Sequence, residues 1–242
     1  MSGGPGDPVF ALLEKQVASV PGWSPVEQLF ALYMLASASR DVPGDLLEVG
    51  AWCGRSAVAL GLAARIVGGA RVASIDLFPH RDDWRENPDG SFSLTVNVDG
   101  AKIAAYQVQT VWREPYLKTI APVYERHASV LDIFQENIAA NGLADIVTPM
   151  RGTSDLLHAM DANRRFRLAF VDADHSYEAV CHDIDNIVPR LSPGGWLCFD
   201  DAFTSYDGVN RAIRERVLQS DAFDLGMQPT RKLFVARKRP IA

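Results

Sequence analysis

Four stretches of this sequence gather residue types that are expensive to place together unless they bind something. The first is Glu48-Val-Gly-Ala-Trp-Cys-Gly54-Arg-Ser56, where an apolar run breaks on two glycines. Gly50 and Gly54 allow a tight turn and a close backbone approach to a ligand, which residues bearing a Cβ resist. Trp52, two positions after Gly50, departs from the GxGxxG of dinucleotide sites, because its ring would crowd a pyrophosphate. The second stretch ends on Asp76, 26 residues after Gly50. A carboxylate there can accept hydrogen bonds from two ribose hydroxyls, so loop and acid together point to an adenosine-type ligand.

The third stretch is Phe170-Val-Asp172-Ala-Asp174-His175-Ser-Tyr-Glu178, and the fourth is Cys198-Phe-Asp200-Asp201. Carboxylates crowded at one edge repel one another and raise their own pKa values. A divalent cation relieves that repulsion, and an all-oxygen set suits Mg²⁺ or a close relative rather than zinc. His175, with an unperturbed pKa near about 6.5, is suited to take a proton at neutral pH. Asp172, Asp200 and Asp201 are therefore the candidate metal ligands, and His175 is the candidate base. Without a metal, the acids would serve as helix caps or sit in solvent.

These residues need a scaffold that brings strand ends together. Short apolar strands over Leu46–Gly50, Arg71–Leu77, Ile146–Arg151, Arg167–Asp172 and Trp196–Asp200 alternate with helices over Arg55–Val67, Val130–Asn141 and Tyr177–Arg190. The turn Ser192-Pro-Gly-Gly195 leads into the fifth of these strands. A helix over Gly208–Gln219 and strands near Ala222–Met227 and Lys232–Arg237 close the chain. Strands alternating with helices predict an α/β fold, a doubly wound, Rossmann-like parallel sheet covered on both faces. Ligands of such sheets sit beyond the carboxyl ends of the strands, where all four stretches fall.

Residues 1–45 read as an N-terminal helical cap with helices over Val9–Val20 and Pro25–Arg40, the second capped by Ser24 with Pro25 at its first position. Met1–Pro8, rich in Gly and Pro, reads as a floppy start without the features of a signal peptide. Residues 79–127 replace a simple crossover helix with a long segment containing Trp84, Phe92, Tyr106, Trp112, Tyr116 and Tyr124. Excess length in one connection marks a lid or substrate loop. The whole chain, 1–242, reads as a single domain.

Composition narrows the partners. The chain has 242 residues, 48% of them hydrophobic, and a net charge of −6, so it can bury a large core and does not resemble a basic nucleic-acid binder. The basic cluster Arg231, Lys232, Arg237, Lys238 and Arg239 reads as a solvated strand end. No apolar run reaches 18 residues, which argues against a membrane partner. Cys53, Cys181 and Cys198 form no CxxC pair, so a reducing, cytoplasmic setting is expected, with Cys53 a packing residue. Nothing in the sequence opposes a homo-oligomer. His182 falls on the face of His175, seven residues on, while His80, His127 and His158 read as ordinary surface residues.

The joint pattern Glu48-x-Gly50-x-x-x-Gly54-x-Ser56, Asp76, Phe170-Val-Asp172-Ala-Asp174-His-Ser-Tyr and Asp200-Asp201 resembles the class I S-adenosylmethionine-dependent methyltransferases. Within them it is similar to the metal-dependent O-methyltransferases of catechol, caffeoyl-CoA and macrocin type, over about Leu46–Phe203. The resemblance implies a seven-stranded sheet in the order 3-2-1-4-5-7-6 with strand 7 antiparallel. It implies S-adenosyl-L-methionine as cofactor, with Gly50 and its neighbours Glu48, Ala51, Trp52, Gly54 and Ser56 along the methionine part. Asp76, with Leu77 beside it, would take the ribose, and Thr153 and Ser154 would lie near the adenine. Asp172 would belong both to the cofactor site and, with Asp200 and Asp201, to a divalent-cation site, Mg²⁺ first. In catechol- and caffeoyl-type enzymes a lysine stands three residues after the first metal aspartate; here that position holds His175. The reaction implied is methylation of a hydroxyl on a small molecule, a natural-product sugar or phenol. Metal-independent N- or O-methylation and cofactor binding without turnover are the alternatives. A nicotinamide oxidoreductase is disfavoured by Trp52.

Overall fold

Leu46 and Leu47 are neighbours in sequence and both are fully buried, which only a strand covered on both faces allows. The computed structural model describes residues 6–241. It opens with helices α1 (Pro8–Val17) and α2 (Val26–Ala38), strand β1 (Asp45–Val49), helix α3 (Arg55–Val67) and strand β2 (Val72–Asp76). The insertion follows, with β3 (Trp84–Glu86), β4 (Ser91–Val98), β5 (Ala101–Ala105), β6 (Val111–Trp112) and the short α4 (Arg113–Pro115), which widens into a π-helical turn over Tyr116–Ile120. The alternation then resumes with α5 (Val130–Ala140), β7 (Val147–Arg151), α6 (Leu156–Ala159), β8 (Phe166–Val171), α7 (Tyr177–Ile187) and β9 (Leu191–Phe199). Helix α8 (Asp207–Ala212), β10 (Phe223–Met227) and β11 (Phe234–Lys238) complete it.

The main sheet has the order β10-β11-β9-β8-β1-β2-β7, with β11 antiparallel to both β9 and β10. In order of main-sheet strands this is the expected 3-2-1-4-5-7-6. Side chains alternate between two cores. Leu46, Val72, Leu168, Phe170 and Cys198 face α1–α3, α5 and the insertion, while Leu47, Ala73, Ile75, Ala169, Val171 and Leu197 face α7 and α8. Helix α3 covers the expected span because every position from Ala57 to Ala64 is small or apolar, and all of them are buried. Among the described residues no helix is long and apolar enough to cross a membrane.

Several local expectations need correction. Ser24 does not cap α2; Pro25 holds the cap position, and the Ser24 carbonyl instead accepts from Arg55 Nε at 2.9 Å. Asp7 and Pro8, expected in a floppy start, instead begin α1, with the Asp7 carboxylate accepting from the Val9 and Phe10 amides as its cap; Met1–Pro5 lie outside the described residues. The Ser192–Gly195 stretch is not a turn before the strand but a bulge inside β9, since Phe166 pairs with Leu191 and Leu168 with Trp196. The helix expected over Gly208–Gln219 is α-helical only to Ala212 and then widens into π turns over Ile213–Leu218. The insertion is largely a small antiparallel sheet, β3-β4-β5 with β6 on β4, packed into the first core through Trp84, Leu94, Val96 and Val111.

Candidate active site

At the carboxyl ends of β1, β2, β8 and β9 lies one cavity of about 620 Å³. That is within the usual range for a small-molecule site. Its first wall is the turn after β1. Gly50 has φ +93, and a Cβ there would lie 2.0 Å from the Asp172 carbonyl oxygen, so this turn and the start of the β8 loop touch backbone to backbone. The Gly50 amide donates to Ile75 O and the Asp172 amide to Val49 O, which locks three strand ends together. Asp76 faces this turn. Its Oδ2 accepts from the Trp52 amide at 2.9 Å and its Oδ1 from the Phe78 amide at 2.6 Å. Burial pushes the Asp76 carboxyl above the ordinary range, and these amides only partly offset that.

Nine of the eleven residues assigned to the cofactor line the cavity: Gly50, Ala51, Trp52, Ser56, Asp76, Leu77, Thr153, Ser154 and Asp172. Two do not. Gly54 begins α3 and packs on Phe134, and Glu48 is fully buried beneath the turn, where Oε2 accepts from Ser74 Oγ at 2.9 Å and Oε1 has no partner. Burial raises the Glu48 carboxyl to about 7, with Ser56 and Ser74 opposing the shift. Cys53 is buried and its thiol is pushed up by that burial, in keeping with packing. Beside Ser154, His182 Nε2 lies 2.7 Å from Asp155, and Asp183 is raised to about 6 by burial; both His182 and Asp183 line the cavity. His80, His127 and His158 stay outside it.

The acidic end is built around Asp172, Asp200 and Asp201, all of which line the cavity. Burial, then the neighbouring Asp200, hold the Asp172 carboxyl well above its ordinary value. His175 Nε2 lies 3.2 Å from Asp201 Oδ2, off the hydrogen-bond line, and has no other partner. Its ring stacks on Tyr206 at 4.0 Å between centroids, and the Tyr206 hydroxyl donates to Gln109 Oε1 of the insertion at 2.8 Å. Ligand atoms of Asp172, His175 and Asp201 all lie within 4.8 Å of one another. Asp200 is more fully engaged: Oδ1 accepts from the Asp201 amide at 2.6 Å and Oδ2 from Lys232 Nζ at 3.0 Å.

Lys232 is the residue that sequence reasoning misplaced. It is not part of a solvated strand end but a largely buried ammonium, also 3.3 Å from Asp201 Oδ1. Burial disfavours its charge, yet Asp200, Asp201 and Asp172 outweigh that and raise its pKa. Burial likewise opposes the Asp201 charge, but His175 and Lys232 hold that carboxyl below the ordinary range. Of the rest of the basic cluster, Lys238 donates to the carbonyls of Val188 and Leu191, while Arg231 and Arg239 stay exposed as expected of a solvated strand end, and Arg237 pairs with Asp224 at the surface. The register of β11 was the signal that could have placed Lys232.

Donors of this kind fit a divalent cation. The Asp172 and Asp201 carboxylates converge on one point beside the His175 ring, and burial and Asp200 press Asp172 toward holding a proton even though Lys232 opposes them. The opposite wall holds the Asp76 carboxylate and the Gly50 turn. Residues 47–202, from the second leucine of β1 to just past Asp201, match the family described as "Methyltransferase domain". The chain belongs to this family. The methyltransferase sheet is also that of solved relatives. The O-methyltransferase NovP has a TM-score of 0.59 at 18% identity, covering 88% of this chain and 80% of that one. TomG from Streptomyces achromogenes, an O-methyltransferase involved in tomaymycin synthesis and solved with S-adenosylmethionine, gives 0.56 at 15%, covering 96% and 90%. CalS11, a TDP-rhamnose 3'-O-methyltransferase of calicheamicin biosynthesis, gives 0.55 at 18%, covering 98% and 96%. The protein is thus an S-adenosylmethionine-dependent methyltransferase of class I fold.

Proposed function

We propose that this methyltransferase acts on a hydroxyl of a small molecule, a natural-product sugar or phenol, with a divalent cation held at its acidic end. The observation that carries the reading is the convergence of Asp172, His175 and Asp201 at one end of a cavity whose other end suits an adenosine. NovP, TomG and CalS11, similar in fold, support an oxygen acceptor, and CalS11 supports a sugar. In this reading Asp76 holds the ribose, Thr153 and Ser154 flank the adenine, and the Gly50 turn lies along the methionine part. Asp172 and Asp201 hold the cation, with Asp200 as their electrostatic neighbour. When bound, the cation would acidify the acceptor hydroxyl and fix its position. His175 takes the hydroxyl proton on Nε2, and the neighbouring Asp201 carboxylate stabilises the imidazolium that results. The methyl carbon leaves the sulfonium sulfur as its bond to the acceptor oxygen forms, yielding a methyl ether and S-adenosylhomocysteine. Tyr206 and Gln109 close the acceptor end and help keep water out.

The test is methyl transfer from labelled S-adenosylmethionine to a panel of sugar nucleotides and phenols, with and without a chelator. Loss of transfer on chelation and its return with Mg²⁺ is expected, while His175→Ala should lower the rate by roughly 10²–10⁴ with cofactor binding intact. One observation favours a second reading, metal-free O- or N-methylation: Lys232 already supplies a positive charge to Asp200 and Asp201. Full activity in chelator would select it.

A further inference from the structure

The acidic end contains a cation of its own. Lys232 precedes β11, and continuing the antiparallel pairing of Phe234 with Phe199 by two residues sets it opposite Asp201. The Ala202 amide donates to the Lys232 carbonyl at 2.9 Å, so the backbone that carries the ammonium is pinned to the segment that carries the acids. Nζ then sits 3.0 Å from Asp200 Oδ2 and 3.3 Å from Asp201 Oδ1. Asp201 divides its two oxygens between Lys232 and His175, while Asp172, on the neighbouring strand end, has no direct cationic partner. Three carboxylates against one ammonium leave an uneven field: the Asp200 side is neutralised and the Asp172 side is not.

We propose that Lys232 is the resident cation of this cluster and sets how tightly a divalent ion can bind beside it. The inference uses the metal reading above but stands or falls separately. An ammonium and a divalent ion sharing Asp201 repel across a few ångströms of poorly screened space, so the ammonium works against the incoming ion. It thereby tunes the site toward weak, exchangeable binding. A purely structural lysine would do the reverse: its loss would let the acids move and weaken any ion site they form.

Mn²⁺ binding by electron paramagnetic resonance at fixed pH separates these roles. Wild type, Lys232→Met and Lys232→Gln are compared, the glutamine keeping an N–H donor for Asp200 without the charge. Calorimetric S-adenosylmethionine affinity serves as the check that each variant is folded. Removing the ammonium should tighten Mn²⁺ binding by about tenfold or more in both variants, and Mn²⁺ should raise their melting temperatures more than it raises that of the wild type. Equal or weaker Mn²⁺ binding in the folded variants overturns the proposal, as does the absence of binding in all three proteins. If the wild type binds no Mn²⁺ while the variants do, the metal reading of the native enzyme fails and the role of Lys232 stands. If the wild type binds Mn²⁺ and the variants bind it no better, the metal reading survives and this one does not.

Discussion

Replacing Gly50 by alanine should disturb the cofactor turn and the acidic end at once. The added Cβ would lie 2.0 Å from the Asp172 carbonyl oxygen, 2.3 Å from its carbon and 2.6 Å from the Ala173 nitrogen. All three are backbone atoms, so no side chain can swing aside. One of the two segments must retreat by about 1.4 Å to reach the 3.4 Å of ordinary contact. An L-residue at φ +93 adds about 1–3 kcal/mol of strain. Overpacking adds about 1–3 kcal/mol more, for a loss of roughly 2–6 kcal/mol. At about 2–4 °C per kcal/mol for a chain of this size, the melting temperature should fall by roughly 4–24 °C. The surviving folded protein should turn over about 10²-fold more slowly, because Asp172 moves by more than an ångström. Gly68→Ala is the control: Gly68 has φ +74, but a Cβ added there would meet nothing within 4 Å, so the variant carries the conformational strain without the clash. Thermal melts and single-turnover rates on both variants decide the matter. If Gly50→Ala melts no lower than Gly68→Ala and keeps the wild-type rate, the backbone contact does not couple the two ends.

Asp76→Ala should weaken S-adenosylmethionine by about 1.5–3 kcal/mol, the worth of a hydrogen bond to a charged group, measured by titration calorimetry; an unchanged affinity would remove Asp76 from the ribose site. Glu48 has a pKa of about 7 in the folded protein against an ordinary 4.5, so its contribution to stability is full below about pH 4.5 and is lost as pH rises through about 7. The loss is of the order of 3 kcal/mol, and Glu48→Gln should flatten the fall in melting temperature between about pH 5 and pH 8; a slope equal to that of the wild type would refute the assignment. Tyr206→Phe keeps the stack on His175 but deletes the hydroxyl that reaches Gln109, so it should raise the acceptor KM while leaving cofactor affinity alone. A lower kcat at constant KM would instead mean that the hydroxyl acts on His175.

The sheet was legible because its strands are buried on both faces and read as unbroken apolar runs, each ending on a residue that the site uses: Gly50 after β1, Asp76 in β2, Asp172 after β8 and Asp200 after β9. Helix α3 was legible because an unbroken small or apolar run, Ala57–Ala64, begins three residues after Gly54. The insertion was missed although β4 carries the signal, since Ser91–Val98 alternates polar and apolar residues and its burial follows; its partners β3 and β6 are only two or three residues long, and the aromatic content drew the reading toward a lid. Lys232 escaped because its partners lie about thirty residues away and are met only through the antiparallel register of β11. Ser24 and the Ser192–Gly195 bulge show the same limit at short range. Each has good local turn or cap chemistry, and a tertiary contact decided otherwise: Arg55 for the first and the pairing of β8 with β9 for the second.

The pairing of β1 has a consequence for how the chain assembles. On one side β1 meets β2 at a short separation, Leu46 with Val72; on the other it meets β8 across much of the chain, Leu46 with Leu168. Loop closure disfavours the second pairing until the first has formed. During synthesis the N-terminal half can therefore gather α1, α2, β1, α3 and β2 early, with Arg55 already gripping the carbonyls of Val17, Val20 and Ser24. That half carries the Gly50 turn and Asp76. The strands that bring Asp172, Asp200 and finally Lys232 dock later, and until β8 arrives one edge of β1 stays unpaired and apolar. Between translation of β2 and docking of β8 this open, apolar edge exposes the chain to aggregation.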